Sequence, residues 1–393
     1  MYGRTGAICQ RCNQILTVQK RLLATASKQS PSLVTADLED QTHRKPKHFY
    51  TSGYVPWNTQ DQLVKHLHSQ IIFNNDDYIA LNKPPGIPMT VNKERPHFIH
   101  QSFSMKNMHM PEFATFSMND AMDELSIKLN LKRQARLGLP CHRLNSGIVI
   151  YTKNKQAGEK LQTWWRNTRA NKIFALKYWA LVLGIPNPKQ VTSGDDIFYV
   201  QRNKDDHSIM KYESIKFATR DKRQNGKAIQ SNMKHRVLAS HPGLNVSLVE
   251  VQPTWSVNDM LPLYLAHRLS PILGDHIYSH MVTQVSGIPM IMASSIREET
   301  PQKLQPEILR ALGFKKADNI FIPLHLHLAQ AVVPVIGKKG KFCTINAPMP
   351  EMFVESLKRF GMEHPEISQR ITRDELKPHN YHVDSTKTEK PDT

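Results

Sequence analysis

Cysteine is scarce: the 393 residues hold four, at positions 9, 12, 141 and 343. So few, so scattered, exclude a disulfide framework. Cys9 and Cys12 form a lone C-x-x-C with no second pair and no histidine cluster at zinc spacing, which argues against a metal or redox centre. Cys141 and Cys343 read as reduced thiols. No run of 18 apolar residues occurs, so no helix of the sequence is expected to cross a bilayer. Acidic residues are also in deficit, 34 against 52 Lys and Arg, giving a net charge of +18 and a pI near 9.7. That imbalance points to a polyanionic partner, nucleic acid first and anionic lipid second.

The deficit is not all in one place. Residues 1–36 carry Arg4, Arg11, Lys20, Arg21 and Lys28 and no acid, with Gln, Thr, Ser and Ala filling much of the rest. This is the composition of a mitochondrial transit peptide, and Ile15–Val18 is too short for the apolar centre of a secretory signal. A basic arm that stays on the protein is the alternative. The tail, 366–393, is close to neutral, so 37–365 keeps a charge of +14. The basicity belongs to the part expected to fold.

Residues 37–67 read as a polar linker, through about Tyr54, followed by a short helix capped by Asn58, with Leu63, Val64 and Leu67 on one face. Next, Ile71–Phe73 and Tyr78–Leu81 predict a hairpin about an Asn-Asn-Asp-Asp turn, leaving through Asn82-Lys83-Pro84-Pro85-Gly86. Positions 90–120 show no period. Asp120–Leu131 has helical spacing, and Leu161, Trp164 and Trp165 mark the packing face of another helix. Phe174–Gly184 and Leu244–Val251 read as strands. Between them, Lys216–Arg236 holds seven Lys or Arg against Asp221; Lys216, Arg223 and Lys227 are candidates for tracking a phosphate backbone, a solvated loop being the alternative.

The chain is organised around Leu139–Lys153, LPCHRLNSGIVIYTK, a basic turn feeding a buried strand. This stretch resembles the active-site motif of the RluA-type RNA pseudouridine synthases, His-Arg-Leu-Asp-x-x-Thr-Ser-Gly followed by an apolar strand. Ile71–Gly86 resembles that family's first motif, and Lys177-Tyr178 with Ala180-Leu181-Val182-Leu183-Gly184 its third. Ala266 through Pro271-Ile272-Leu273-Gly274-Asp275 and Tyr278 is similar to its helix and exit turn. Ile322–Pro334 and Ala347-Pro348-Met349-Pro350 are similar to its C-terminal segment. The likeness spans about 68–365, in unbroken motif order, and with the basic leader it looks most like mitochondrial members. No S4-type RNA-binding domain is evident.

The resemblance implies an α+β fold, a long, mixed, mainly antiparallel sheet with flanking helices and one basic cleft. It implies flipping a uridine out of its stack, an Asp acting as nucleophile or base, a supporting Arg, and a Tyr against the base, with no metal or organic cofactor. By family position the Tyr is Tyr178. Here the motif departs from the pattern. Asn145 stands at the nucleophile position in a motif three residues short, an equally good alignment removing that position altogether, and Pro262 falls where the Arg belongs. An amide can donate and accept hydrogen bonds but supplies no carboxylate. Asp259, where the family has His, is the substitute acid to weigh, against a solvated or helix-capping role; Asp76 and Asp77 are further acids, and Asp275 reads as a turn residue. Lys83, His142 and Arg143 are candidate RNA contacts, a salt bridge being the alternative for Arg143.

Three functional readings remain open: an RNA-binding family member of the mitochondrial matrix with impaired isomerisation, an active synthase using a displaced acid, and a protein-assembly factor that has lost RNA. The implied partners are mitochondrial rRNA, mRNA or tRNA, together with RNA-processing proteins. Residues 366–393 are expected to form a disordered tail.

Overall fold

The computed structural model describes residues 48–50, 57–90, 116–187, 219–220, 228–256, 259–291, 301–314, 321–338 and 340–362, with two further strands at 196–202 and 209–215; side chains of 196–230 are described only at 219–220. The chain divides into Met1–His48 and Phe49–Thr393, and all the helices and strands described belong to the second unit.

Helix α1, Gln60–Ser69, buries Leu63, Val64 and Leu67 as its spacing predicts. Its cap is Thr59 rather than Asn58: the Gln62 amide donates to Thr59 Oγ1 at 3.3 Å, and the Gln62 side chain accepts from the Asn58 amide at 2.9 Å. Strands β1, Ile71–Asn74, and β2, Tyr78–Lys83, form the expected hairpin. Asn75 Oδ1 closes its turn by accepting from the amides of Asp77 and Tyr78, at 3.0 and 2.7 Å. Helix α2, Met118–Lys128, and strands β3, Arg136–Leu139, and β4, Ser146–Thr152, lead to helix α3, Lys155–Ala170. There the two adjacent tryptophans are buried with their indoles satisfied, Trp164 donating to Val332 O at 2.7 Å and Trp165 to Gly138 O at 3.3 Å.

Strand β5, Leu176–Leu183, precedes β6, Asp196–Arg202, β7, Ile209–Ile215, and β8, Ala228–Ser231, which pair in the order β7-β6-β8 as a separate small sheet. Strands β9, Met233–His241, and β10, Val246–Pro253, return the chain to the main sheet. Helix α4, Met260–His267, the hairpin β11, Val282–Val285, with β12, Ile288–Ile291, and helix α5, Pro306–Ala311, come next. Strands β13, Leu326–Pro334, and β14, Phe342–Asn346, and helix α6, Glu351–Arg359, complete the described elements.

The main sheet runs β1-β2-β4-β13-β5-β10-β9, with β3 against β4 and β14 against β13. Every pair is antiparallel except β4 with β13. The fold is therefore the expected α+β arrangement. Alternation along the strands explains its thickness. Tyr78, Ala80, Ile148, Ile150, Tyr178 and Ala180 face one core with α3 and α4; Ile79, Leu81, Val149 and Tyr151 face a second with α1 and α2. Trp179, Leu181 and Leu248 face a third, which holds Phe353 and Leu357 of α6. With both faces covered, β2 and β4 are buried at every residue.

One stretch departs from expectation. Tyr50, read as linker, is wholly buried, and its hydroxyl lies 2.9 Å from Ser356 Oγ of α6.

Candidate active-site cavity

The parallel contact between β4 and β13 fixes the centre of the site. Gly147 lies opposite Leu328 with φ +110°, and a Cβ there would stand 2.3 Å from Leu328 O. Only glycine admits this approach. Beside it Ser146 Oγ is 2.9 Å from His327 Nδ1, while His327 Nε2 is 3.1 Å from the carbonyl of Ala347. Because a carbonyl can only accept, the imidazole proton sits on Nε2, and Ser146 donates to Nδ1. Burial pushes the pKa of His327 down from 6.5 to about 4, consistent with a neutral ring.

The turn carrying His142, Arg143 and Asn145 enters β4 at this point, and Lys83 holds it. Lys83 is fully buried and donates to the carbonyls of Pro84, Arg143 and Asn145, at 2.9, 3.0 and 2.8 Å. Burial lowers its pKa from 10.5 to about 8. The expectation that Lys83 meets RNA is corrected: an ammonium with no exposed surface, surrounded by three carbonyls, fastens the loop instead. Arg143 closes the same knot, its Nε donating to Gly86 O at 3.2 Å while the Gly86 amide donates to Arg143 O at 2.9 Å.

On the opposite wall, Asp259 occupies the N-cap position of α4, yet its side chain makes no capping bond and is 5 % exposed. It is neither solvated nor a helix cap. Tyr278 donates its hydroxyl to Asp259 Oδ2 at 3.3 Å, and His142 Nε2 lies 3.8 Å from Oδ1. Asn145 and Asp259 line one cavity with His142, Leu144, Pro262, Asp275, His276, Ile277 and Leu324. Its free volume is about 10 Å³, roughly one water molecule and far less than a nucleobase. Pro262 forms wall without harming α4, since an amide in the first helical turn has no intrahelical partner to lose.

Asp275 behaves as the expected turn residue, Oδ1 accepting from the amides of Ile277 and Tyr278 at 2.9 and 3.0 Å. Gly274 before it has φ +83°, and a Cβ would meet Pro323 O at 2.1 Å. His276 donates from Nε2 to Ile322 O at 3.0 Å and accepts the Gln302 amide on Nδ1 at 3.2 Å; burial lowers its pKa to about 4. Behind it lies a larger, mainly apolar groove of about 970 Å³, lined by neither Asn145 nor Asp259.

The sequence candidates thus divide. His142, Asn145 and Asp259 converge, and Arg143 supports them. Tyr178 does not line the cavity; it is buried in the core opposite Val251 and Leu328, hydrogen-bonded to Ser256, and burial raises its phenol pKa. Asp76 and Asp77 are excluded by register: Tyr78 pairs with Thr152 and Lys83 with Gly147, so their turn lies at the far end of β4, about 20 Å from Asn145. Lys216, Arg223 and Lys227 lie outside the described residues. Among its described lining residues there is no lysine or arginine; the cavity's ionisable groups are two carboxylates and two imidazoles. Tyr278 is a site residue that sequence reasoning misses. Its spacing in Gly-Asp-x-x-Tyr is the available signal.

Residues 77–255 match the family described as RNA pseudouridylate synthase. The chain is 25% identical to the rat protein "Pseudouridylate synthase RPUSD4, mitochondrial", over 78% of this chain and 73% of that one. It is 25% identical to human "Mitochondrial mRNA pseudouridine synthase RPUSD3", over 79% and 82%. The solved structure of human RNA pseudouridylate synthase domain containing 4 superposes with a TM-score of 0.55 at 23% identity, covering 78% of this chain and 98% of that one, a likeness of fold.

Proposed function

Because the chain belongs to the RNA pseudouridylate synthase family through its RluA-type domain, we propose that it is a mitochondrial RNA-binding member of that family, located in the matrix, in which uridine isomerisation is impaired. One observation carries this reading. At the nucleophile position stands Asn145, an amide, in a cavity of about 10 Å³ shared with Asp259, whose carboxylate accepts from Tyr278 and lies 3.8 Å from His142. Isomerisation needs an anionic oxygen at the sugar–base junction and room for a flipped nucleotide. The net charge and the family's substrate class support RNA, mitochondrial rRNA, mRNA or tRNA, as the ligand, with RNA-processing proteins as accompanying partners. The family's reaction calls for no cofactor.

A second reading rests on Asp259. Its carboxylate shares the cavity with Asn145, so on opening of that cavity it would be the acid available to a uridine. Pseudouridine mapping of mitochondrial RNA with and without the protein, alongside RNA crosslinking, separates the two. Specific crosslinks with every pseudouridine unchanged are the expected result. Loss of one pseudouridine, restored by wild type and not by Asp259→Asn, would overturn it in favour of the second reading. Absence of crosslinks would move the function to protein assembly.

A further inference from the structure

Helix α3 ends in a concentration of positive charge that the nucleotide cavity does not use. Arg166 and Arg169 lie three residues apart, hence on one face, and Lys172 follows just past the helix end. Together with Ala170, Ser231, Asn232 and Thr254 they line a pocket of about 380 Å³, with no carboxylate among its described lining residues. The helix dipole favours cations in the last turn, which accounts for Arg169; Arg166 stands before that turn.

Two further features mark the pocket as built. Lys172 adopts φ +54°, the left-handed position of a helix terminus at which the Ile173 amide bonds back to Thr168 O at 2.9 Å. Glycine serves that position without strain, whereas a β-substituted residue is strained there, so the cation is held at some expense of stability. The opposite wall is cross-tied. Ser231 Oγ donates to Trp255 O at 2.6 Å, the Asn232 amide to Thr254 Oγ1 at 3.1 Å, and the Thr254 amide to Asn232 O at 2.9 Å. Lys234, with its ammonium 4.2 Å from the centre of the Phe174 ring, adds a cation to the neighbouring surface.

Thr254 of this wall lies five residues before Asp259 in the sequence. We propose that Arg166, Arg169 and Lys172, with the side chain of Asn232, form a seat for a backbone phosphate of the bound RNA. Guanidinium groups take phosphate oxygens in a bidentate fork, Lys172 adds a point charge, and the amide of Asn232 a neutral donor. The seat positions RNA without reading its sequence.

The inference rests on the RNA-binding reading above, and the test distinguishes the two. Full-length wild type and the triple variant Arg166→Gln, Arg169→Gln, Lys172→Gln are titrated with a labelled mixed-sequence RNA oligonucleotide at several salt concentrations. The expected result is weaker binding at low salt, with the slope of log K against log salt reduced by about 0.7, the contribution of one neutralised phosphate on single-stranded RNA. Should the triple variant fold poorly, Arg166→Gln alone is expected to weaken binding at low salt and to lower the slope by less than the triple variant's roughly 0.7. A folded variant with wild-type affinity and slope would overturn the seat and leave RNA binding standing. Failure of wild type itself to bind RNA would overturn both.

Discussion

The ammonium of Lys83 stands 2.8 Å from the backbone carbonyl of Asn145, in the interior and 62 residues away along the chain. The loop that carries Asn145 is thus secured by a buried ion. Burial depresses its pKa, yet the three carbonyls would be left without that donor if the ion were removed. Lys83→Met is expected to destabilise the protein by about 1–3 kcal/mol, the range for stranding buried polar groups. Since Lys83 does not reach solvent, the salt dependence of RNA binding by the folded variant is expected to match wild type. Urea unfolding and a salt titration check the two parts separately.

Three buried imidazoles predict how stability varies with pH. His276, His325 and His327 have pKa values lowered by burial from 6.5 to about 4. In the unfolded chain they take up protons below 6.5, whereas the folded protein refuses them until about 4. Their contribution is therefore complete above pH 6.5 and is lost as pH falls towards 4. Each contributes about 1.4 kcal/mol per pH unit within that window, and the three together about 4. Urea denaturation at pH 7, 6 and 5 should show this steep decline. A flat profile would mean that the rings are solvated.

Much of this architecture is legible because local chemistry and burial agree. The Ile71–Lys83 hairpin joins apolar strands through an Asn-rich turn, and α1 carries its apolar face at helical spacing. What a sequence conceals depends on partners remote along the chain. Tyr50 sits in a polar stretch, and its burial comes from Ser356 and His325, some three hundred residues on. Lys83 has the look of a solvent-facing cation because its partners are backbone carbonyls, which leave no mark on a sequence. Asp259 can be placed near Asn145 by motif order, but the turn of its carboxylate away from the helix amides towards Tyr278 is a product of packing.

Two backbone positions give opposite expectations. At Gly147 a methyl group would collide with Leu328 O, at the sheet's parallel contact and at positive φ. Gly147→Ala is expected to cost several kcal/mol, on the order of the largest single-residue effects, or to abolish folding. Leu269 has φ +57° at the end of α4, where the amides of Leu269 and Ser270 bond back to Ala266 O and Leu265 O at 2.9 and 3.0 Å. Glycine suits this terminus. Leu269→Gly should relieve about 1 kcal/mol of strain, offset in part by loss of its half-buried side chain, so its melting temperature should lie close to or above that of wild type.

The most direct test of the proposed function is to place a carboxylate at position 145. Asn145 is 7 % exposed and Asp259 5 %, and both line the same cavity. Asn145→Asp would place a third buried carboxylate in a cavity that already holds those of Asp259 and Asp275, with His142 as the neighbouring group able to carry positive charge. Like charges so placed raise a carboxyl pKa above its unfolded value. The variant should therefore be less stable than wild type at pH 7, and this difference should shrink as pH falls towards the unfolded value of about 4. Pseudouridine formation is expected to remain absent, because Pro262 supplies no cation where the family's arginine would steady the new charge. Turnover of a uridine substrate by Asn145→Asp would show instead that the frame is intact and that one side chain alone separates this protein from catalysis.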